Sequence, residues 1–208
     1  MIEKRTMHTP RILPPSLWVE RFIGGVPAGG TVLDLACGSG RHLRLALERG
    51  YGVLGVDRAL DGVRDLEGRP SVALLECDLE DNKPFPLAGR GFAGVLVTNY
   101  LWRPLLPQIV AAVSLEGVLI YETFAIGQEQ FGRPSNPEFL LRPNELIDAV
   151  RPRLTVVAYE HGRLDEGGRS RIVQRIAACG PAHPWSDRGF ATKVRADHAL
   201  SATFKAKA

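Results

Sequence analysis

The chain has 208 residues, of which 45% are hydrophobic and 24% are charged, and its net charge at pH 7 is +3. This length and composition are typical of one globular domain with a substantial core, and they exclude a largely disordered chain. The small net charge, without a dense block of lysine and arginine, argues against nucleic acid as a partner.

The cysteines and the apolar runs indicate the compartment. Cys37, Cys77 and Cys179 are far apart and lack the Cys or His spacing of a metal site. We therefore expect reduced thiols, no bound metal and a cytoplasmic protein. No apolar run approaches 18 residues, so no contact with a membrane is expected either.

Short apolar runs alternate with segments of helical periodicity along the chain. The runs are nearly continuous in hydrophobicity, which indicates strands covered on both faces, as in a parallel α/β sheet. Their alternation with helices predicts a doubly wound sheet. The predicted strands are 31–36, 52–56, 72–76, 92–98, 117–124, 154–160 and 171–179, and the predicted helices are one that follows Gly40 and ends at Gly50, 59–67, 104–113 and 143–150.

The two ends of the chain lie outside this alternation. Residues 1–15 contain three prolines and are expected to form an arm or a lid, and residues 181–208 are expected to have little fixed structure. Residues 16–180 then form the main domain. Only 161–168 separate its last two predicted strands, so we expect a hairpin with an antiparallel last strand.

The most informative segment is the turn after the first strand, which contains Asp34, Gly38 and Gly40. The glycines allow the backbone to approach a ligand where a Cβ atom would collide with it. The helix that follows directs its unpaired N–H groups and positive dipole end to the same place. This turn predicts a nucleotide-like cofactor, with Asp34 either fixing the turn or binding an ammonium group. His42, in the same helix, is expected to be exposed rather than catalytic.

Polar residues also follow the later strands, where ligands of open α/β sheets bind. Asp57 is placed to accept hydrogen bonds from both hydroxyls of a ribose. Asp78 is placed to accept from an exocyclic amine such as that of adenine, while the Leu79 N–H donates to the ring and Arg58 covers the base with Leu79. The predicted cofactor residues are Asp34, Gly38, Gly40, Asp57, Arg58, Asp78, Leu79 and Asn99.

A nicotinamide dinucleotide is the main alternative cofactor. Its G-x-G-x-x-G/A pattern needs a third small residue at the position where this chain has Leu43. The carboxylate of Asp34 would repel a pyrophosphate, whereas it suits the ammonium and sulfonium groups of S-adenosylmethionine. The residues therefore favour S-adenosylmethionine.

Three motifs, in this order, resemble those of class I S-adenosylmethionine-dependent methyltransferases: DLACGSG at 34–40, GVD at 55–57 and ECDL at 76–79. The segments 91–99 and 115–121 resemble the fourth and fifth strands of that family. The resemblance implies a seven-stranded Rossmann-like sheet with an antiparallel last strand, in agreement with the expected hairpin. It also implies methyl transfer by in-line displacement.

A narrower similarity lies in 121–146, where YETF, FGRPSNP and LLRPNEL resemble the tellurite-resistance-type branch of small-molecule methyltransferases. This similarity indicates a subgroup and by itself identifies no substrate. The loop after the fourth strand lacks the N/D-P-P-Y-type motif of enzymes that methylate amino groups of nucleic acids, so a small acceptor is expected. A methyltransferase acting on RNA or protein, and a catalytically silent S-adenosylmethionine-binding protein, are the alternatives.

The acceptor is expected beside the ends of the fourth and fifth strands. Tyr100 and Arg103 are the candidate residues on this side, and Arg103 is a candidate to hold an anionic substrate. The long connection 125–142 has no helical period, which is typical of lids and binding loops, although a static surface loop is the alternative. Its candidate lining residues are Phe131, Arg133 and Phe139.

Overall fold

The structure, a computed structural model, describes residues 13–166 and 168–186. Its centre is a seven-stranded sheet with the strands in the order third, second, first, fourth, fifth, seventh, sixth. The strands are β1 Thr31–Leu35, β2 Gly52–Asp57, β3 Val72–Glu76, β4 Phe92–Thr98, β5 Val113–Phe124, β6 Thr155–Glu166 and β7 Arg169–Cys179. β7 runs antiparallel to both of its neighbours, β5 and β6, and the pairs among β1 to β5 are parallel. The predicted doubly wound, mostly parallel sheet with an antiparallel last strand is therefore confirmed.

Within the described residues, four α-helices pack on the sheet: α1 Leu17–Phe22, α2 Arg41–Glu48, α3 Leu106–Ala111 and α4 Glu145–Val150. One core, with Trp18 and Leu43 buried in it, lies between the sheet and α1 and α2. The second core lies on the opposite face under α3 and α4, where Ile109 and Leu146 are buried. Two cores on two faces explain why the central strands are nearly continuous in hydrophobicity.

The predicted helix at 59–67 is instead a 3-10 segment, Asp61–Leu66. A Cβ atom on Gly62 would lie 2.8 Å from the Gly38 carbonyl oxygen and 2.9 Å from Ser39 Cα. The segment thus lies directly against the glycine-rich turn, and the glycine that allows this contact also weakens an α-helix.

Two other boundaries differ because strand pairing overrides the local pattern. The predicted helix 104–113 consists of a 3-10 turn, Arg103–Leu105, followed by the short α3. It ends before 113 because β5 begins at Val113, which pairs with Phe92. The hairpin is longer than predicted, because β6 continues to Glu166 and β7 begins at Arg169.

The two ends of the described chain pack on the domain. Ala182 N–H donates to the Leu115 carbonyl at 2.9 Å, and the Trp185 ring lies 6.3 Å from that of Phe22. Residues 181–186 of the predicted flexible tail are therefore part of the folded domain. Residues 1–12 of the predicted arm and 187–208 of the predicted tail lie outside the described residues. No helix within the described ranges is long and apolar enough to cross a membrane.

Candidate functional site

The turns after β1 and β2 meet through Asp57. Its Oδ2 accepts from Gly38 N–H at 2.8 Å, and its Oδ1 accepts from Ala59 N–H at 3.2 Å. β1 and β2 are parallel, so their carboxyl ends lie at the same edge of the sheet. The structure therefore brings together Gly38 and Asp57, two of the predicted cofactor residues, beside an open edge.

The glycines in the first turn have separate roles. Gly38 and Gly40 both have positive φ, +53° and +70°, a conformation that favours glycine. A Cβ atom on Gly40 would lie 2.4 Å from Val63 Cγ1, whereas one on Gly38 would meet no atom of the described residues within 4 Å. Gly40 is thus required by packing, and Gly38 faces open space in which a ligand can reach the backbone.

Asp34 lies behind this turn and is 1% exposed. Its Oδ2 is buried and has no hydrogen-bond partner in the part of the chain that the structure describes. The pKa of Asp34 is raised to about 8, mainly by burial. The charge of Arg41 lowers this pKa, and that of Asp57 raises it. A cation placed against this oxygen would stabilise the ionised carboxylate and satisfy the unpaired atom. The buried oxygen therefore fits an ammonium group.

Asp78 and Leu79 follow β3 on the other side of Asp57. Asp78 is exposed, and its Oδ1 accepts from Glu80 N–H at 2.9 Å. Leu79 is half-buried and packs against the core under α3 and α4. Arg58 is exposed after β2. These residues lie at the same edge as the glycine-rich turn, since β3 is parallel to β2.

Asn99 and Tyr100 follow β4. Asn99 is exposed, with its N–H donating to the Glu122 carbonyl at 2.9 Å. The Tyr100 hydroxyl is buried and has no hydrogen-bond partner within the described ranges. Burial, followed by the negative charges of Glu80 and Asp78, raises the pKa of Tyr100 above its ordinary value. The phenol therefore stays protonated and can donate a hydrogen bond.

The guanidinium of Arg103 is already bound within the protein. Its Nε and Nη2 donate to the Glu145 carboxylate at 2.7 and 3.0 Å. Its Nη1 donates to the Glu138 carbonyl at 2.6 Å, and Nη2 donates to that of Leu140 at 2.8 Å. These contacts connect the end of β4 to the loop 125–142 and to α4. The predicted role of Arg103 in binding substrate stays a prediction, and the contacts favour a positioning role.

Two hollows lie beside this loop. The inner hollow, of about 280 Å³, reaches Asn99, Tyr100 and Thr123. The outer hollow, of about 410 Å³, is lined by Arg133, Ser135 and Asn136. Both are also lined by Phe124, Pro134 and Phe139.

Of the three candidate lining residues in the loop, Arg133 and Phe139 line the outer hollow. Phe131 is not among the lining residues of either hollow, and its ring lies 5.2 Å from the guanidinium of Arg163 on β6. The loop thus contributes two of the three expected side chains to the hollows.

His42 is buried, so the expectation that it is exposed is wrong. Its Nε2 accepts from Ser16 N–H at 3.1 Å, and its Nδ1 lies 3.4 Å from Thr98 Oγ1. Burial, with a smaller effect of Arg41, lowers the pKa of His42 to about 3. The imidazole is therefore neutral and holds the segment before α1 against α2.

Two buried glutamines that the sequence analysis did not single out also hold the loop. Gln174 on β7 donates to the Arg142 carbonyl at 2.6 Å and accepts from Leu146 N–H at 3.3 Å. Gln128 accepts from Ile172 N–H at 2.9 Å. The available signal for Gln174 was a glutamine in the mainly apolar end of β7, where Arg175 is the other polar residue between Ile172 and Cys179.

No protein-family model matches the chain, and no curated protein matches it. Solved structures match its fold. TehB from Haemophilus influenzae has a TM-score of 0.57 and 20% identity, over 78% of this chain and 61% of its own. Geranyl diphosphate C-methyltransferase from Streptomyces coelicolor, in complex with S-adenosyl-L-homocysteine, has a TM-score of 0.55 and 18% identity over 77% of each chain. The cyclase SpnF has a TM-score of 0.59 and 14% identity, over 79% of this chain and 78% of its own.

At these identities the comparisons show the fold alone. The chain has the Rossmann-like methyltransferase fold, and S-adenosylmethionine-dependent methyltransferases are among the proteins that share it. The cyclase shows that a similar fold also occurs in proteins named for another reaction.

Proposed function

We propose that the protein is an S-adenosylmethionine-dependent methyltransferase that acts on a small-molecule acceptor. The observation that carries this proposal is the junction of Gly38, Asp57 and Asp34 at the carboxyl ends of β1 and β2. This junction combines an open backbone turn, a carboxylate at its rim and a buried carboxyl with an unpaired oxygen. A cofactor with a ribose and an ammonium group would use all three.

The remaining roles follow from the chemistry of each residue. Asp57 would accept from the ribose hydroxyls, and Asp34 would bind the ammonium group. Gly38 and Gly40 would allow the close approach of the turn. Around the adenine we place Asp78, Leu79 and Arg58, with Asn99 beside the cofactor at the end of β4. When bound, the cofactor supplies an activated methyl group on a sulfonium.

The residues after β4 and β5 would hold the acceptor. Tyr100 would donate a hydrogen bond from its protonated phenol, and Arg103 would keep the loop 125–142 in place above the inner hollow. The small net charge and the lack of a dense block of lysine and arginine support a small acceptor over RNA. The motifs in 121–146 support the tellurite-resistance-type branch.

Calorimetric titration of S-adenosylmethionine and S-adenosylhomocysteine tests the cofactor site. Asp57→Ala is expected to weaken both by about 1–3 kcal/mol, because it removes hydrogen bonds to a charged acceptor. Asp148→Ala is the matched control, since that carboxylate is 61% exposed on α4, away from the glycine-rich turn, and pairs with Arg151. Equal affinities for both variants would refute the assignment of Asp57.

Transfer is tested separately, with cofactor labelled in the methyl group and pools of small acceptors, RNA and protein. Label is expected in a small molecule. Label in RNA or protein would favour the macromolecular alternative, and tight cofactor binding without transfer to any pool would favour the silent binding protein.

A further inference from the structure

The two hollows beside the loop 125–142 are connected. The inner and outer hollows share Phe124, Pro134 and Phe139 in their walls, so they adjoin. The inner hollow also reaches Asn99 and Tyr100, beside the proposed cofactor site. A molecule that extends across both hollows would therefore have one end beside Asn99 and Tyr100, on the side of the proposed cofactor site, and the other end in the outer hollow.

The wall of the outer hollow is mainly apolar. Two phenylalanines and a proline contribute to it, and Phe139 is 43% exposed. A large aromatic side chain at this exposure gains free energy when an apolar ligand covers it. The outer hollow therefore suits an apolar body, and a flat aromatic one can stack on the exposed ring of Phe139.

Arg133 is the charged residue among those that line the outer hollow. Its carbonyl accepts from Gln128, while its guanidinium has no ion-pair partner within the ranges described. Arg103, the candidate from the sequence, differs in this respect, because its donors are bound to Glu145 and to two loop carbonyls. Of these two arginines, Arg133 is the one available to an anion.

We propose that the acceptor is a small molecule with a flat apolar body and an anionic group, and that Arg133 binds that anion. The inference rests on the proposed function for the role of the ligand as acceptor. Planar guanidinium groups bind carboxylates and phosphates in pairs of hydrogen bonds, which gives the hollow a preference for an acid over its neutral analogue.

The test uses three matched probes: 2-naphthoate, the neutral 2-naphthamide and the cationic 2-naphthylmethylamine. Their dissociation constants are measured by calorimetry with saturating S-adenosylhomocysteine and without it. We expect 2-naphthoate to bind about tenfold or more tightly than 2-naphthamide, the ratio expected for hydrogen bonds to a charged group. Equal affinities, tighter binding of the amine, or no measurable binding of 2-naphthoate would overturn the proposal.

Substitutions test whether Arg133 causes the preference for 2-naphthoate over 2-naphthamide. Arg133→Gln is expected to reduce the acid-to-amide ratio to about twofold or less, because it removes the charge. Arg151→Gln is the matched control, since that arginine is 70% exposed at the C-terminal end of α4, pairs with Asp148, lines neither hollow and should leave the ratio unchanged. Phe139→Ala is expected to weaken both probes equally. A ratio that persists in Arg133→Gln would show that another group binds the anion.

The two proposals fail in different ways. If S-adenosylhomocysteine does not bind, the proposed function is wrong, while the titrations without cofactor still measure the role of Arg133. If S-adenosylhomocysteine binds and the acid shows no advantage over the amide, the proposed function stands and the acceptor class is wrong. Thermal unfolding of each variant shows that the loss of binding does not come from loss of the fold.

Discussion

The proposed cofactor side of the site is held by one short side chain that binds the backbone of adjacent turns, whereas the proposed acceptor side is held by long side chains that reach distant elements. On the cofactor side, Asp57 accepts from the N–H groups of Gly38 and Ala59. On the acceptor side, Arg103 and Gln174 bind carbonyls that lie 35 and 32 residues away along the chain.

This difference separates two properties of the site. The glycine-rich turn is set mainly by its backbone conformation and by the one carboxylate of Asp57, so the cofactor side can persist in proteins with different acceptors. The acceptor side depends on a few polar side chains that are each replaceable. We therefore expect substitutions in the loop 125–142 to change acceptor affinity while leaving cofactor affinity intact.

The largest expected effect is that of Gly38→Val. The new side chain would enter the open space in front of the turn and would strain a residue with φ of +53°. Affinity for S-adenosylhomocysteine is expected to fall about 100-fold or more, equivalent to about 3 kcal/mol. Calorimetry measures this loss.

Gly68→Val is the matched control for that variant. Gly68 also has positive φ, +73°, and open space around its Cβ position, but it lies before β3 at the opposite edge of the sheet. The two variants should lose similar stability to thermal unfolding. If Gly38→Val binds cofactor as well as Gly68→Val does, the turn does not contact the ligand.

Asp34→Asn tests the buried carboxyl through the pH dependence of stability. The pKa of Asp34 is about 8 in the folded protein, above its ordinary value of 3.8. The folded state therefore binds more protons than the unfolded state between these values, and stability falls as the pH rises through this window. The neutral amide removes this loss.

Urea unfolding without cofactor, at about pH 5 and about pH 8, measures the effect. The stability of Asp34→Asn relative to wild type is expected to increase over that range by on the order of 3 kcal/mol. The cofactor affinity of Asp34→Asn relative to wild type should fall over the same pH range. The reason is that the wild-type carboxyl can ionise against an ammonium group and the amide of the variant cannot. Parallel pH curves for the two proteins would contradict the role of Asp34.

The strands and turns of the proposed cofactor side were largely predictable because their signals are local. An apolar run, an acidic residue and two glycines within 34–40 indicate a strand, a turn and a ligand at once, and the strands and glycine-rich turn lie as predicted. The antiparallel last strand was predictable for the same reason, since a short connection leaves few alternatives.

The rest depends on contacts that no local pattern contains. The far end of the hairpin is held by polar pairs such as Arg163 with Asp165 and Arg171 with Glu166, so it lacks the apolar run used to predict strands. The early start of β5 depends on pairing with Phe92, and the occupied guanidinium of Arg103 depends on Glu145, 42 residues away.

The smallest expected effect concerns Arg103→Lys, which distinguishes a positioning role from direct contact with substrate. Lysine keeps the charge but cannot reproduce the paired bonds to Glu145 and the loop carbonyls. We expect a loss of about 1–2 kcal/mol in the stability of the loop. Hydrogen exchange should then be faster in 125–142, with unchanged S-adenosylhomocysteine affinity.

Arg64→Lys, at a side chain 73% exposed, is the control and should change neither the exchange rate nor the affinity. If exchange in the loop is unchanged while binding of 2-naphthoate is lost, Arg103 contacts the acceptor directly, and the long side chains on this side of the site bind substrate as well as position the loop.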